Sequence, residues 1–162
     1  MTRSARAWLL SMIGLAAAAV PSLFATLTLT TSTNSVAIPF ATTDYNKTTG
    51  VAQITKTSAQ TLTILSTTAT WTLSVRALTA TFAFAPSAGD PNPSKPAGDL
   101  AVRAPATSAT WLVLTTTNQV LSTGPKLATN QTRALDYRLN SNLNSNPPGT
   151  YTLSVIYTLT SP

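Results

Sequence analysis

The segment that decides the fold is GTYTLSVIYTLT, residues 149–160 of the 162-residue chain. Its large apolar side chains recur at every second position, and threonine or serine fills most of the positions between them. Successive side chains of a β-strand point to opposite faces, so this alternation predicts a strand with one face in a core. The residues of that face are Tyr151, Leu153, Val155, Tyr157 and Leu159.

The same alternation recurs through the chain, in which threonine makes up about a fifth of the residues. Runs of this kind span residues 25–31, 35–40, 51–57, 60–65, 70–76, 78–84, 109–115 and 132–139. No window has a helical period, and clusters of turn-forming residues separate several of the runs. The pattern predicts an all-β fold: a single immunoglobulin-like antiparallel β-sandwich of about eight or nine strands, with a closed barrel as the alternative.

The longest interruption is the proline-rich stretch PSAGDPNPSKPAGD at residues 86–99. Proline cannot donate to a strand ladder, so we expect an exposed loop here. The chain is 43% hydrophobic and only 9% charged, which favours a packed fold, but neither side of the loop is long enough to bury a core of its own comfortably. We therefore expect residues 26–162 to form one domain that contains this loop.

The N-terminus has the features of a secretory signal peptide. Arg3 and Arg6 precede an apolar stretch at residues 7–20, Pro21 interrupts it, and small residues follow up to Ala25. The apolar stretch is shorter than the roughly 20 residues that a transmembrane anchor needs, and no later segment is long enough to span a bilayer. The sequence predicts a cleaved signal peptide at residues 1–25, a secreted or cell-surface protein, and no membrane span after cleavage.

Composition excludes much of the usual enzyme chemistry. The chain has no histidine and no cysteine, so it has no Ser-His-Asp or Cys-His system, no common zinc or haem site, and no disulfide. Its acids are four aspartates. Two chemical roles are open to the acidic residues: an acid/base pair for glycoside hydrolysis, such as Asp44 with Asp136, or a calcium site formed by Asp90, Asn92 and Asp99. Ordinary roles at the surface and in turns are commoner for such residues. We expect no enzymatic activity, no catalytic residue, no metal and no cofactor.

Without the signal peptide, the chain contains eight lysines and arginines and four aspartates, which gives a formal net charge of plus four. The basic residues are scattered singly and have no interleaved aromatic ladder, which argues against nucleic acid as a partner. A diffuse positive field could still favour anionic wall polymers through weak, salt-sensitive attraction.

Two triplets carry a resemblance to a known family. Trp71-Thr72-Leu73 is a W-x-L triplet on a predicted strand, and the last run ends in the Y-x-L triplet Tyr157-Thr158-Leu159. With the N-terminal run at residues 27–30 leading to Phe40, this order resembles the WxL domain of bacterial cell-surface proteins, whose members attach non-covalently to peptidoglycan. Tyr157 stands where that family has its second tryptophan. The G-x-Y start of the last strand also resembles bacterial pilin and spore-coat-type subunits.

The triplets make Trp71, Leu73, Tyr157 and Leu159 the candidate ligand-binding residues, because exposed aromatic rings could stack on sugars. Two residues that lie two positions apart on a strand share a face, however, so the same residues also suit packing between sheets, which is the interpretation we favour. Trp111, with apolar neighbours on both faces, is expected in the core of a central strand.

Two functions remain in competition, and a third is weaker. The first is a non-enzymatic surface module that contacts cell-wall polysaccharide or other surface proteins. The second is a polymerising subunit of a pilus, spore coat or surface layer, which would self-assemble by strand addition. The segment at residues 25–31 separates them: pairing within its own sheet favours the module, and a free strand favours the subunit. A small secreted hydrolase, the third, would need converging aspartates in a cleft.

Overall fold

A computed structural model of the chain describes residues 26–67, 69–86, 91–126 and 129–161. The predicted signal peptide at residues 1–25 lies outside the described residues, as do residues 87–90 of the proline-rich stretch.

The described residues form ten β-strands and two short 3-10 helices, so the predicted all-β fold is confirmed. The strands are β1 (Leu27–Thr31), β2 (Val51–Ser66), β3 (Trp71–Ala77), β4 (Ala83–Pro86), β5 (Leu100–Arg103), β6 (Leu112–Val113), β7 (Gln119–Gly124), β8 (Gln131–Asn142), β9 (Gly149–Thr152) and β10 (Val155–Thr160). The 3-10 helices are Thr42–Asp44 and Ala97–Asp99.

The strands pair antiparallel in three sheets. The larger sheets have five strands in the order β1-β2-β8-β5-β6 and three strands in the order β10-β3-β7, and β4 pairs with β9 in a two-stranded ribbon. One apolar cluster combines side chains of both larger sheets, as in a β-sandwich. Its fully buried members include Leu62, Ile64, Trp71, Leu73, Val75, Val102 and Leu135.

The predicted runs at residues 51–57 and 60–65 belong to a single long strand, β2. The pairing of β2 with β8 shifts between Lys56 and Gln60, so several residues of β2 face the one residue Asp136 on β8. Ser58 in this bulge has a φ of 47° and donates its N–H to Asp136 Oδ1 at 2.8 Å. A bulge re-aims side chains without ending a strand, and here it supplies a donor to a buried carboxylate.

The last predicted strand is divided between two sheets. Its first part, β9, pairs with β4, and its second part, β10, pairs with β3. Leu153 and Ser154 lie between them outside the ladders, and the apolar face is half-buried rather than fully buried. Alternation in sequence reports which way side chains point, but it carries no information about which strand is the partner.

Other short elements depart from the sequence pattern. Residues 35–40 form no regular strand, although Val36, Ile38 and Phe40 still pack against the core. The run at 109–115 contains only the two residues of β6, and β4 begins late in the run at 78–84. Conversely, β5 and β7 lie outside the predicted runs, since neither carries a long alternation.

The proline-rich stretch is not exposed throughout. Lys95 is 2% exposed and Ala97 is 3% exposed, which corrects the expectation of an exposed loop. The Lys95 carbonyl accepts the Phe82 N–H at 2.8 Å, and Thr81 forms a bridge with Pro96, so this part of the stretch folds against the body of the domain. Among the described residues no helix is long and apolar enough to cross a membrane.

Candidate functional site

The W-x-L triplet points into the core. Along β3 every second side chain is buried, which leaves Trp71 1% exposed and Leu73 0% exposed. The indole lies directly over Gly124 of the neighbouring β7, where a Cβ atom would overlap the ring. A ring in this position cannot serve as an exposed platform for a sugar. The triplet therefore packs between strands, as the shared-face argument expects.

The Y-x-L triplet lies beside the first one. Leu159 pairs with Leu73 and Tyr157 pairs with Val75 across the β10–β3 ladder, so the structure brings the four candidate residues to neighbouring strands. Tyr157 is half-buried, and its hydroxyl lies 2.6 Å from the hydroxyl of Tyr137 on β8. The side chain is thus directed towards the opposite sheet.

A polar network surrounds this tyrosine pair. The Tyr137 hydroxyl donates to Gln60 Oε1, and Gln60 Nε2 donates to Thr31 Oγ1 and to the Thr33 carbonyl at 2.8 Å each. Burial raises the pKa of Tyr137 to about 12, and it raises the pKa of Tyr157 well above its ordinary value. Both hydroxyls therefore stay neutral and link β1, β2, β8 and β10. Sequence reasoning missed Gln60, whose burial is set by the bulge in β2.

Trp111 does not lie in the core of a central strand. It is half-buried just before β6, a two-residue strand at the edge of the five-stranded sheet. The guanidinium carbons of Arg103 and Arg138 lie 4.5 Å and 4.7 Å from the centroid of its ring. We call these three residues the arginine–tryptophan cluster. Charged groups rather than apolar ones cover the ring, because the short edge strand places it at the sheet surface.

The buried carboxylate of Asp136, a residue that is 3% exposed, binds Arg103 of the arginine–tryptophan cluster. Nε and Nη2 of Arg103 both lie 2.9 Å from Asp136 Oδ2, and the N–H of Ser58 in the β2 bulge occupies Oδ1. A carboxylate that receives donors from two elements fixes the arginine in place. Arg138 is held less completely, since its buried Nε has no hydrogen-bond partner among the described residues.

Polar side chains extend the same sheet face beyond the cluster. Thr55 lies opposite Arg138, and two positions further along the β2–β8 ladder Gln53 Nε2 donates to Asn140 Oδ1 at 2.8 Å. Guanidinium groups bind carboxylate and phosphate oxygens well. They also occupy the space over the indole that a neutral sugar would need for stacking. The face is therefore better suited to an anionic ligand than to a neutral one.

A second polar site centres on Lys95. Its Nζ lies 2.5 Å from Asp99 Oδ2, 2.6 Å from the Asn140 carbonyl oxygen and 3.2 Å from Asn146 Oδ1. We call Lys95, Asp99 and Asn146 the lysine site. Two adjoining clefts of about 350 and 530 Å³ share Lys95, Ser141 and Asn146 in their walls.

Sequence reasoning missed the lysine site because Lys95 and Asn146 are 51 residues apart. Two local signals accompany it: the Lys-x-x-x-Asp spacing of residues 95 and 99, and the asparagine-rich turn NSNLNSNPPG at residues 140–149. Neither signal indicates that the two segments meet.

The aspartates considered for catalysis or calcium have other contacts. Asp44 accepts the Ala41 N–H at 2.6 Å, Asp136 holds Arg103, and Asp99 pairs with Lys95. Asn92 accepts the Ser94 N–H at 2.9 Å, and Asp90 lies outside the described residues. Within the described part of the chain, no three side chains of the metal-binding types cluster together.

Comparison with known proteins adds no relative to this description: no protein-family model matches the chain, and no curated protein is significantly similar to it in sequence.

Proposed function

We propose that the chain is a non-enzymatic β-sandwich module, secreted or held at the cell surface, that contacts an anionic cell-wall polysaccharide. The observation that carries this proposal is the pairing of β1. All five residues of β1, from Leu27 opposite Ser66 to Thr31 opposite Leu62, are paired within the chain's own sheet. A strand that completes its own sheet is not available to complete a neighbour's, which favours the module over the subunit.

The ligand class follows from charge and from the arginine–tryptophan cluster. The positive excess favours anionic polymers in general, and Arg138 offers a guanidinium that is less restrained than that of Arg103. Carboxylate or phosphate groups on a wall polymer would match these donors. The resemblance to the WxL domain supports attachment to the cell wall. Because Trp71 is buried, we assign the contact with the wall polymer to the arginines and not to the triplets.

Retention on purified cell wall tests the proposal. We expect Arg138→Gln to lower the retained fraction several-fold at low salt and to flatten the dependence on salt, because a local charged contact is lost. Arg76→Gln, which removes the same charge from β3 in the other sheet, is the matched control and should have little effect. Equal losses in both variants, or none in either, would reject a local site on this face.

One observation favours the polymerising subunit as the second candidate. The three-stranded sheet has β7 at one edge and β10 at the other, and Val120 on β7 is 58% exposed. An exposed edge strand can pair with a strand of another chain. Filaments formed by the purified protein would favour this candidate over the module.

A further inference from the structure

Lys95 is an amine buried beside a carboxamide and a carboxylate. It is 2% exposed, whereas the other lysines that the structure describes, Lys47, Lys56 and Lys126, are exposed. The Phe82 ring lies 5.8 Å from its Nζ, so apolar surface screens one side of the group. A buried lysine needs partners. The partners here are the groups that an amide-forming reaction requires.

The carboxamide of Asn146 is oriented and polarised. Its Oδ1 accepts the backbone N–H of Asn142 at 3.0 Å and, at a longer 3.4 Å, the hydroxyl of Ser141, in addition to the Lys95 ammonium at 3.2 Å. The backbone donor identifies this atom as the oxygen, because an amide nitrogen could not accept. Donors gathered on a carbonyl oxygen stabilise the negative charge that develops there when a nucleophile attacks the carbon.

Asp99 supplies the base. Its Oδ2 lies 2.5 Å from Lys95 Nζ, and its side chain is 29% exposed while that of Lys95 is 2% exposed. The carboxylate can therefore take a proton from the ammonium and later return one to the leaving group.

We propose that Lys95 and Asn146 become joined by an isopeptide bond between Nζ and Cγ. Asp99 takes a proton from the Lys95 ammonium, and the free amine attacks Cγ, whose double bond opens to leave an oxyanion on Oδ1. Asp99 donates its proton to Nδ2 and accepts one from the new C–N⁺ nitrogen. The carbonyl then re-forms as the Cγ–Nδ2 bond breaks and ammonia is released. Asp99 gives its proton to this ammonia, which leaves as an ammonium ion, and Asp99 is again a carboxylate. The balance is one ammonium and one carboxamide converted into one secondary amide and one ammonium ion, with no redox change.

Two features suit this reaction. The two clefts that Lys95 and Asn146 line give the departing ammonium ion a path to solvent. Pro147 follows Asn146, and proline has no backbone N–H. Asparagine usually loses ammonia when the next backbone nitrogen attacks its side chain. Asn146 therefore cannot react in this way. The proposal is independent of the cell-wall ligand, because the lysine site shares no residue with the arginine–tryptophan cluster.

Peptide mapping of the full-length protein by mass spectrometry tests the bond. Trypsin cuts after Arg76, Arg103 and Arg138, and Pro96 protects the bond after Lys95 with or without the link. Lys95 is then in peptide 77–103, and Asn146 is in the peptide that begins at Leu139. We expect one species with the summed mass of the two peptides less one ammonia, and fragmentation that maps the link to Lys95 and Asn146. Two separate peptides of unmodified mass would overturn the proposal.

Three variants test the roles of the residues. Lys95→Arg removes the nucleophile, and Asp99→Asn removes the base while preserving the shape of the side chain. Both should yield only separate peptides. Lys56→Arg, an exposed lysine that donates to the Ala37 carbonyl at 2.8 Å, is the matched control and should retain the joined species. A joined species in the Asp99→Asn protein would overturn the role of Asp99, and its absence from the Lys56→Arg protein would overturn the assignment to Lys95.

Discussion

At the scale of single residues, the indole of Trp71 occupies the space that a side chain at Gly124 would need. Replacing Trp71 with alanine should lower the free energy of unfolding by about 3–5 kcal/mol, the range for a large buried aromatic. Gly124→Ala should cost about 1–3 kcal/mol, because its Cβ would overlap the indole. Denaturant unfolding of both variants and the double variant measures the coupling.

The two losses should not add, since removing the indole makes room for the new methyl group. Additive losses would show that the clash is relieved elsewhere. Unchanged melting of the Trp71→Ala protein together with lost retention on cell wall would contradict the buried position of the ring.

The hydrogen-bonded pair of Tyr137 and Tyr157 makes stability sensitive to alkaline pH. The pKa of Tyr137 is raised from its ordinary value of 10.0 to about 12 in the folded protein. Its contribution is therefore complete below pH 10, and it is lost between about pH 10 and pH 12, where the unfolded tyrosine ionises first. We expect a loss of about 2–3 kcal/mol from Tyr137 across this range, measured by denaturant unfolding at each pH.

Tyr157→Phe is the control for the alkaline loss, because it keeps the ring and removes one of the two hydroxyls. The two proteins share every other side chain, so a smaller loss in the variant isolates the tyrosine contribution. Equal pH dependence in the two proteins would contradict the coupling of the hydroxyls.

At the scale of elements, the end of the chain completes two sheets. Deleting residues 150–162 removes β10 from β3 and most of β9 from β4. We expect this protein to lose its cooperative thermal transition, because the apolar faces of both partners become exposed. Deleting only residues 161–162 leaves both strands complete and should preserve the transition. A truncated monomer that still melts cooperatively would contradict the prediction.

Elements were predictable from sequence where the alternation is long. In β8, Leu135, Tyr137 and Leu139 fall on one face and are buried, as the pattern predicts. The four residues of β5 are too few to show a period, so they were missed.

The sites could not be predicted for a different reason. Arg103, Trp111 and Arg138 meet through strand order, and Lys95 meets Asn146 through the packing of two turns, neither of which local spacing encodes.

At the scale of the whole molecule, the pairing of β1 predicts the state of association. Because β1 pairs within its own sheet, it is not available as a donor strand for another copy. We therefore expect a monomer, and sedimentation should give one species of the same mass at all concentrations tested. A chain that starts at residue 32 lacks β1 and with it Leu29, which packs against the core. The apolar surface that Leu29 covers would become exposed, so this protein should associate. A full-length protein whose mass rises with concentration would instead favour the polymerising subunit.

The first and last strands have a mechanical consequence. Leu27 at the start of β1 lies opposite Ser66, and Thr160 at the end of β10 lies opposite Thr72, on either side of the short connection from β2 to β3. Both ends of the folded domain are therefore at the same pole. A force applied between them peels each outer strand from its partner one hydrogen bond at a time, instead of shearing a whole ladder at once. The domain should yield at low force when stretched end to end, which suits a module tethered at one end and unloaded at the other.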